Sequence, residues 1–373
     1  MSGDIWDAQF GESPGYLDFA RVGPPSRAVL DESAASLARL AAAGASTVDE
    51  LMAFDGRARR AVARLCGADA DRVTLLPHTS QGLFQAAFSV PAGTVLVSAA
   101  EFPANTYPWV RAEQAGRLTV HRLRPPGGRV TPEVVAAALT PGTTTVSVSA
   151  VDFRTGYRAD LAALRDVVGD RLLVVDGIQG VGVVDEPWDA ADILVCGGQK
   201  WLRAGWGTGF AILSERALAR TAPLLSGWTG ATDPGVFDDE IHDLAPGAQA
   251  WSVTNLSPVT AGALARALEL VEEIGPAVVF GRIADRVAEL DDVLRAAGAE
   301  IVSATDRRAG ILAFRVPGHP VEEVAAALAG AEVTATVRPD QIRLSPHAST
   351  GPGAVARVRA ALTSLRRTAT HAL

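Results

Sequence analysis

From Arg72 onwards, short apolar runs alternate with amphipathic stretches. RVTLL (72–76), TVLVSA (94–99), LTVHRL (118–123), TTVSVSAV (144–151), RLLVVD (171–176), DILVC (192–196) and TGFAIL (208–213) are short and rich in apolar or β-branched residues, the pattern of strands. Between them SQGLFQAAFSV (80–90), NTYPWVRAEQAG (105–116), TPEVVAAAL (131–139) and RADLAALRDVVG (158–169) place apolar residues at helical spacing. Apolar strands alternating with helices predict an α/β domain with a mostly parallel sheet covered on both faces. A helical stretch at 26–66 precedes it.

The pattern changes after GWTGATDPGVFDDE (227–240), which reads as a loop. A helical region from Ser257 to about Gly298 breaks at Gly275-Pro276. AGILAFRV (309–316), a helix at 320–329, EVTATV (332–337), QIRLS (341–345) and a final helix at 352–367 follow, a smaller α+β unit. The expected organisation is therefore a large α/β domain at 26–250 and a small C-terminal α+β domain at 251–373. The segment 1–25 contributes to the small domain and to the mouth of a site.

The length of 373 residues suffices for a large core with a second, smaller one. A net charge of -8 argues against nucleic acid as the main partner. No apolar span of 18 residues free of charges is present, and the acidic start does not read as a signal peptide. Two cysteines without ligand spacing and six scattered histidines give neither a disulfide framework nor a metal motif, which fits a reducing cytoplasm.

One composition detail points to chemistry. Lys200 is the single lysine, the other 33 of the 34 basic residues being arginine. Chance survival in an arginine-rich chain would explain an isolated surface lysine. A site that needs a primary amine to attack a carbonyl would also keep it, because a guanidinium does not give up its proton. In an open α/β sheet, ligands bind beyond the carboxyl ends of the strands. Asp176 closes RLLVVD and Lys200 follows DILVC, so two strands deliver a carboxylate and an amine to one rim. A salt bridge or helix cap is the plain alternative for Asp176. An amine that forms a Schiff base and an acid that keeps a pyridine nitrogen protonated are what pyridoxal 5'-phosphate (PLP) requires.

With VVDGIQGVG (174–182) and DILVCGGQKWLRAGWGTGF (192–210) together, Asp176 and Lys200 standing 24 residues apart, the chain resembles the aminotransferase class V family of fold type I PLP enzymes. That family includes cysteine desulfurases, kynureninases and isopenicillin-epimerase-like proteins. The resemblance runs from about Tyr16 to the C-terminal helix. It implies a Schiff base on Lys200, Asp176 against the ring nitrogen, and Gln179 on the cofactor's phenolic oxygen. Thr79 and Ser80 in PHTSQG (77–82) would hold phosphate at a helix start, and Phe102 in EFPANTYPW (101–109) would stack on the ring. Arg343 in QIRLSPH would grip a substrate carboxylate with its planar fork. Trp228 and Thr229 in GWTG, with Asn255 in SVTNLSP (252–258), would complete the phosphate site across a homodimer interface.

Several positions depart from the family pattern. Phe102 stands where many desulfurases carry histidine. No cysteine precedes the Arg343 strand, which disfavours sulfur transfer through a persulfide. Gly197 and Gly198 replace a phosphate-binding hydroxyl, and VDFRTG (151–156) has Asp152 where an amide is usual. Asp152 and Arg154 are candidates for substrate contacts, and Arg21 for the mouth of the site. The expected activity is PLP-dependent amino-group chemistry of the aminotransferase type on a small amino-acid-like substrate. The alternatives are a C–S or C–C lyase and a non-catalytic PLP-binding protein; a regulator of the last kind would add a basic helix-turn-helix domain for which the chain has no charge.

Overall fold

The structure, a computed structural model, describes the backbone of residues 6–371 and the side chains through Leu365. The first five residues of the expected 1–25 segment and the last two of the chain lie outside the described residues.

Among the described residues, seven strands form the large sheet: β1 (Val73–Leu75), β2 (Thr94–Ser98), β3 (Thr119–Leu123), β4 (Thr143–Ser149), β5 (Leu172–Asp176), β6 (Ile193–Gly197) and β7 (Gly209–Leu213). Their order is β1-β7-β6-β5-β4-β2-β3, parallel except for β7, which pairs antiparallel with both neighbours. The apolar runs fill both faces because side chains alternate along a strand. Leu173, Val175 and Leu194 pack into one core with the helices Thr47–Cys66 and Pro258–Ile274, while Leu172, Val174, Ile193 and Val195 pack into another with the helix Thr79–Ser89.

A second sheet is antiparallel, β10-β11-β9-β8, from β8 (Glu300–Ile301), β9 (Leu312–Arg315), β10 (Thr336–Arg338) and β11 (Gln341–Leu344). It packs with the helices Pro276–Ala296, Val321–Gly330 and Pro352–His371. The helical break at Gly275-Pro276 falls as the sequence predicts: Gly275 has φ 96, a conformation open to glycine, and proline starts the next helix. The strand predicted at 332–337 is shorter, beginning at Thr336. Glu332 takes a left-handed φ of 58 to leave the preceding helix, and Thr334 bridges instead to Tyr16.

That bridge belongs to a strap formed by the N-terminal segment. Leu17 donates its N–H to the Thr334 carbonyl at 3.0 Å and accepts from the Ser345 N–H at 2.7 Å. The chain then passes the lysine loop, where the Gly23 N–H donates to the Gln199 carbonyl at 2.9 Å. A Cβ on Gly23 would lie 1.9 Å from the Lys200 carbonyl oxygen, so only glycine allows this approach.

Candidate active site

The carboxyl ends of β5 and β6 lie side by side, Asp176 opposite Val195. Beyond β6 the chain turns tightly: the Gly198 N–H donates to Thr208 O at 2.8 Å and the Arg203 N–H to Lys200 O at 3.1 Å. Arg203 closes this turn at φ 57 and is held by Pro24 O (2.6 Å), Ser349 Oγ (2.7 Å) and Glu12 Oε2 (2.7 Å). The loop that presents Lys200 is thus tied to the N-terminal strap and to the loop before the last helix.

Lys200 opens into a cavity of about 450 Å³. Asp176, Gln179, Thr79, Ser80, Phe102, Arg343 and Arg21 also line it, so most of the residues singled out in the sequence converge there. The Lys200 ammonium sits 5.6 Å from the centre of the Phe102 ring. Burial pushes the amine down to about 8, with Asp176 opposing and Arg343 adding to the fall. Burial likewise raises Asp176 to about 6, against the Ile178 N–H that donates to its Oδ1 at 3.0 Å and the charge of Lys200. At neutral pH a protonated Lys200 and an ionised Asp176 attract each other through their fields, each opposing the effect of burial on the other.

Gln179 is fixed by donating Nε2–H to Ala20 O (2.9 Å) and accepting Trp201 Nε1–H at Oε1 (2.7 Å). Thr79 and Ser80 open the helix Thr79–Ser89, whose first N–H groups have no intrahelical partner. His78 caps that helix by accepting the Gln81 N–H at Nδ1 (3.1 Å). The buried Thr79 Oγ1 has no hydrogen-bond partner among the described residues. Side by side, an orphaned hydroxyl and a helix start make a seat for an anion. Gly197 keeps this seat open, since a Cβ there would meet Gln199 Oε1 at 2.5 Å and Thr79 Oγ1 at 2.9 Å.

Arg343 is buried on β11. It donates to Phe153 O (2.6 Å) and Thr336 Oγ1 (2.9 Å), and its Nη2 lies 3.4 Å from Asp18 Oδ1. Burial lowers it to about 10, still fully charged at neutral pH.

The other expected residues stand elsewhere. The Asp152 carboxylate closes its own turn, accepting the Arg154 N–H (2.6 Å), the Thr155 N–H (3.0 Å) and the Arg154 guanidinium (2.8 Å). Neither lines the cavity, but Phe153 between them does. Trp228 and Asn255 are exposed and Thr229 is buried, its Oγ1 2.7 Å from Ser252 Oγ; none of the three reaches the cavity. His78, Trp206, Thr336 and Arg338 line it without having been singled out. For Thr336 and Arg338 a signal existed in the alternation of TATVR. Both cysteines are buried free thiols, Cys66 pushed up to about 12 by burial and Cys196 well above its ordinary value. Neither is a nucleophile for sulfur.

An amine, a facing carboxylate, an aromatic plate and an anion seat in one cavity fit PLP: Lys200 for its aldehyde, Asp176 for its ring nitrogen, Phe102 for its face, Thr79 and Ser80 for its phosphate. Fold and site define a fold type I PLP-dependent enzyme. The chain belongs to the aminotransferase class-V family, whose model matches residues 16–338. It is 26% identical over 299 residues to "Uncharacterized aminotransferase YcbU" of Bacillus subtilis, covering 78% of each chain. It is 30% identical over 241 residues to a kynureninase of Deinococcus radiodurans, covering 62% of this chain and 57% of that one. Among solved structures, a C-DES mutant with glycine covalently linked to the PLP cofactor superimposes with a TM-score of 0.85 at 18% identity, over 93% of this chain and 96% of that one. The apo cysteine desulfurase of Thermococcus onnurineus NA1 gives 0.82 at 18% identity, over 95% and 94%. These last two show the shared fold. Among the described residues no helix is long and apolar enough to cross a membrane.

Proposed function

We propose that this chain is a PLP-dependent amino-group-transferring enzyme acting on a small amino acid, with Lys200 as the catalytic amine. The enclosure of the single lysine beside Asp176 carries this reading. Bound there, PLP supplies an electron sink that makes the substrate Cα–H bond acidic. Asp176 would keep the ring nitrogen cationic, and the Nε2 hydrogen of Gln179 not used on Ala20 would donate toward the phenolic oxygen. Arg343 holds the substrate carboxylate and so fixes which Cα bond faces Lys200. The Lys200 Nζ, its basicity lowered by burial, takes the Cα proton.

The cavity presents one free amine as proton carrier; His78 uses Nδ1 to cap a helix. Amino-group transfer needs one such carrier, and Lys200 supplies it. The test is transfer of ¹⁵N from a panel of amino acids to 2-oxo acids. Labelled product amino acid supports the reading, and release of ammonia, sulfide or a cleaved side chain in its place refutes it. A C–S or C–C lyase is the second reading, favoured by the aromatic walls Phe102, Phe153 and Trp206 and by the relatives named kynureninase.

Arg343→Ala is expected to raise KM for α-carboxylate substrates by about 10–100-fold, the worth of one or two charged hydrogen bonds. Steady-state kinetics checks this, and an unmoved KM would assign the carboxylate to another arginine.

The enzyme is proposed to be a homodimer. Support comes from an apolar surface at 224–244 in which Phe237 is 88% and Ile241 98% exposed, beside the half-exposed Trp228, Val236 and Leu244. Paired, this region would bring Trp228, Thr229 and Asn255 towards a partner's phosphate seat. Phe237→Asp with Ile241→Asp is expected to sediment as a monomer; a dimer unchanged by both charges would refute the interface. A cytoplasmic location is proposed from the two free thiols.

A further inference from the structure

Three guanidinium groups line the cavity, against one carboxylate, Asp176, among its lining residues. Arg21 arrives on the N-terminal strap, Arg338 on β10 and Arg343 on β11. Strand register brings the last two together. Thr336 stands opposite Arg343 and Arg338 opposite Gln341. Alternate residues of a strand share a face, so these four side chains project to one side. That side meets the 151–158 loop, where Gln341 Nε2 donates to Arg154 O (3.0 Å) and Arg343 to Phe153 O (2.6 Å). Arg338 and Arg343 are diagonal neighbours across the pair, about 7–8 Å apart at the backbone.

The charges feel one another. After burial, which acts most strongly, and against Asp18, the fields of Arg338 and Arg21 both depress the Arg343 guanidinium. Asp18 is the carboxylate in ion-pair range, 3.4 Å from Arg343, and it also accepts the Thr336 hydroxyl at 2.5 Å. Among the described residues, Arg21 and Arg338 form no ion pair and no side-chain hydrogen bond. Arg338 packs its guanidinium carbon 4.9 Å from the Phe153 ring centre, and its buried Nε has no partner. A single substrate carboxylate on Arg343 would leave the exposed Arg21 and the partly buried Arg338 at the cavity wall without a counter-charge. The phosphate seat is assigned to the helix start at Thr79 and Ser80, where the Thr79 hydroxyl has no partner among the described residues.

We propose that the cavity takes an amino acid bearing a second carboxylate on its side chain, with the α-carboxylate on Arg343 and the side-chain carboxylate held by Arg338 and Arg21. This rests on the reading of the cavity as an amino-acid site and names its substrate class. Phe153, flanked by Arg338 at 4.9 Å and Arg154 at 5.8 Å, stiffens the wall that orients the fork.

Calorimetric titration of the PLP-loaded protein tests the proposal without turnover. Glutarate is compared with valerate, acids of equal length that lack an amine. Glutarate is expected to bind at least about tenfold more tightly than valerate, the worth of a charged hydrogen bond. Arg338→Met should collapse this ratio to within about twofold, and Arg338→Lys should restore part of it, since the charge persists and the fork does not. Equal affinities in the wild-type protein, or a ratio untouched by both Arg338→Met and Arg21→Met, overturn the proposal. Binding of neither acid, in protein whose Lys200 is still labelled by borohydride reduction, overturns the proposal and leaves the lysine assignment standing. Loss of the label itself overturns the underlying reading.

Discussion

Lys200→Arg is expected to abolish activity and the covalent hold on the cofactor while leaving the fold intact. The substitution keeps a positive charge in a cavity that also holds Asp176, so the local charge balance survives. It removes the one property a guanidinium lacks, an amine that gives up its proton near neutral pH. In the folded chain that amine is lowered to about 8 by burial, close to working pH. Loss of the base alone is worth about 10²–10⁴ in rate, and loss of covalent attachment adds to it. Absorbance of the purified variant and its turnover check this. A yellow, borohydride-sensitive protein with near-normal turnover would show that the amine used lies elsewhere.

The second large effect is expected from Asp176→Asn. The amide is nearly isosteric and still accepts the Ile178 N–H at the position of Oδ1, 3.0 Å in the native chain. PLP should therefore still bind. Without an anion to stabilise the ring cation, kcat should fall on the order of a hundredfold or more. The pH profile separates this from simple damage. Asp176 must be ionised to act, and burial places its folded value at about 6, with the ring cation pulling it lower. Activity of the native enzyme should thus decline as pH falls through or below about 6, and in the variant that acid limb should vanish. Wild-type turnover in the variant, or an acid limb that persists, would remove Asp176 from this role.

Much of the architecture was legible because it is written in local patterns. Leu172–Val175 alternate between two cores, and such a run reads as a strand buried on both faces. Asp176 and Lys200 were legible for a related reason: a polar residue that ends an apolar strand, or follows its end by a few residues, has a defined place on the sheet rim. Thr79 was visible as the start of a helix. What escaped depends on distant segments. Asp18, Phe153 and Arg338 come from the strap, a turn and a small antiparallel strand, and only tertiary packing joins them to Arg343. Local chemistry did speak at Asp152, where an acid followed two and three residues later by free N–H groups favours a self-capped turn. The expected phosphate contacts of Trp228, Thr229 and Asn255 depend on a second copy of the chain and are not reached by the cavity of one.

The network around Glu101 shows a related point. Its carboxylate accepts from the Ser149 N–H (3.1 Å) and the Ser149 hydroxyl, and burial raises it to about 7, with Asp176 adding to the rise. Ser149 pairs in register with Asp176. A buried acid thus braces the strand end that presents Asp176, a relation invisible until the two strands are adjacent.

The most direct measurement is borohydride reduction of the protein made with ample vitamin B6, followed by peptide mass analysis. A phosphopyridoxyl group should be found on the peptide carrying Lys200. Recovery of that peptide unmodified, or a label confined to the amino terminus, would contradict the account.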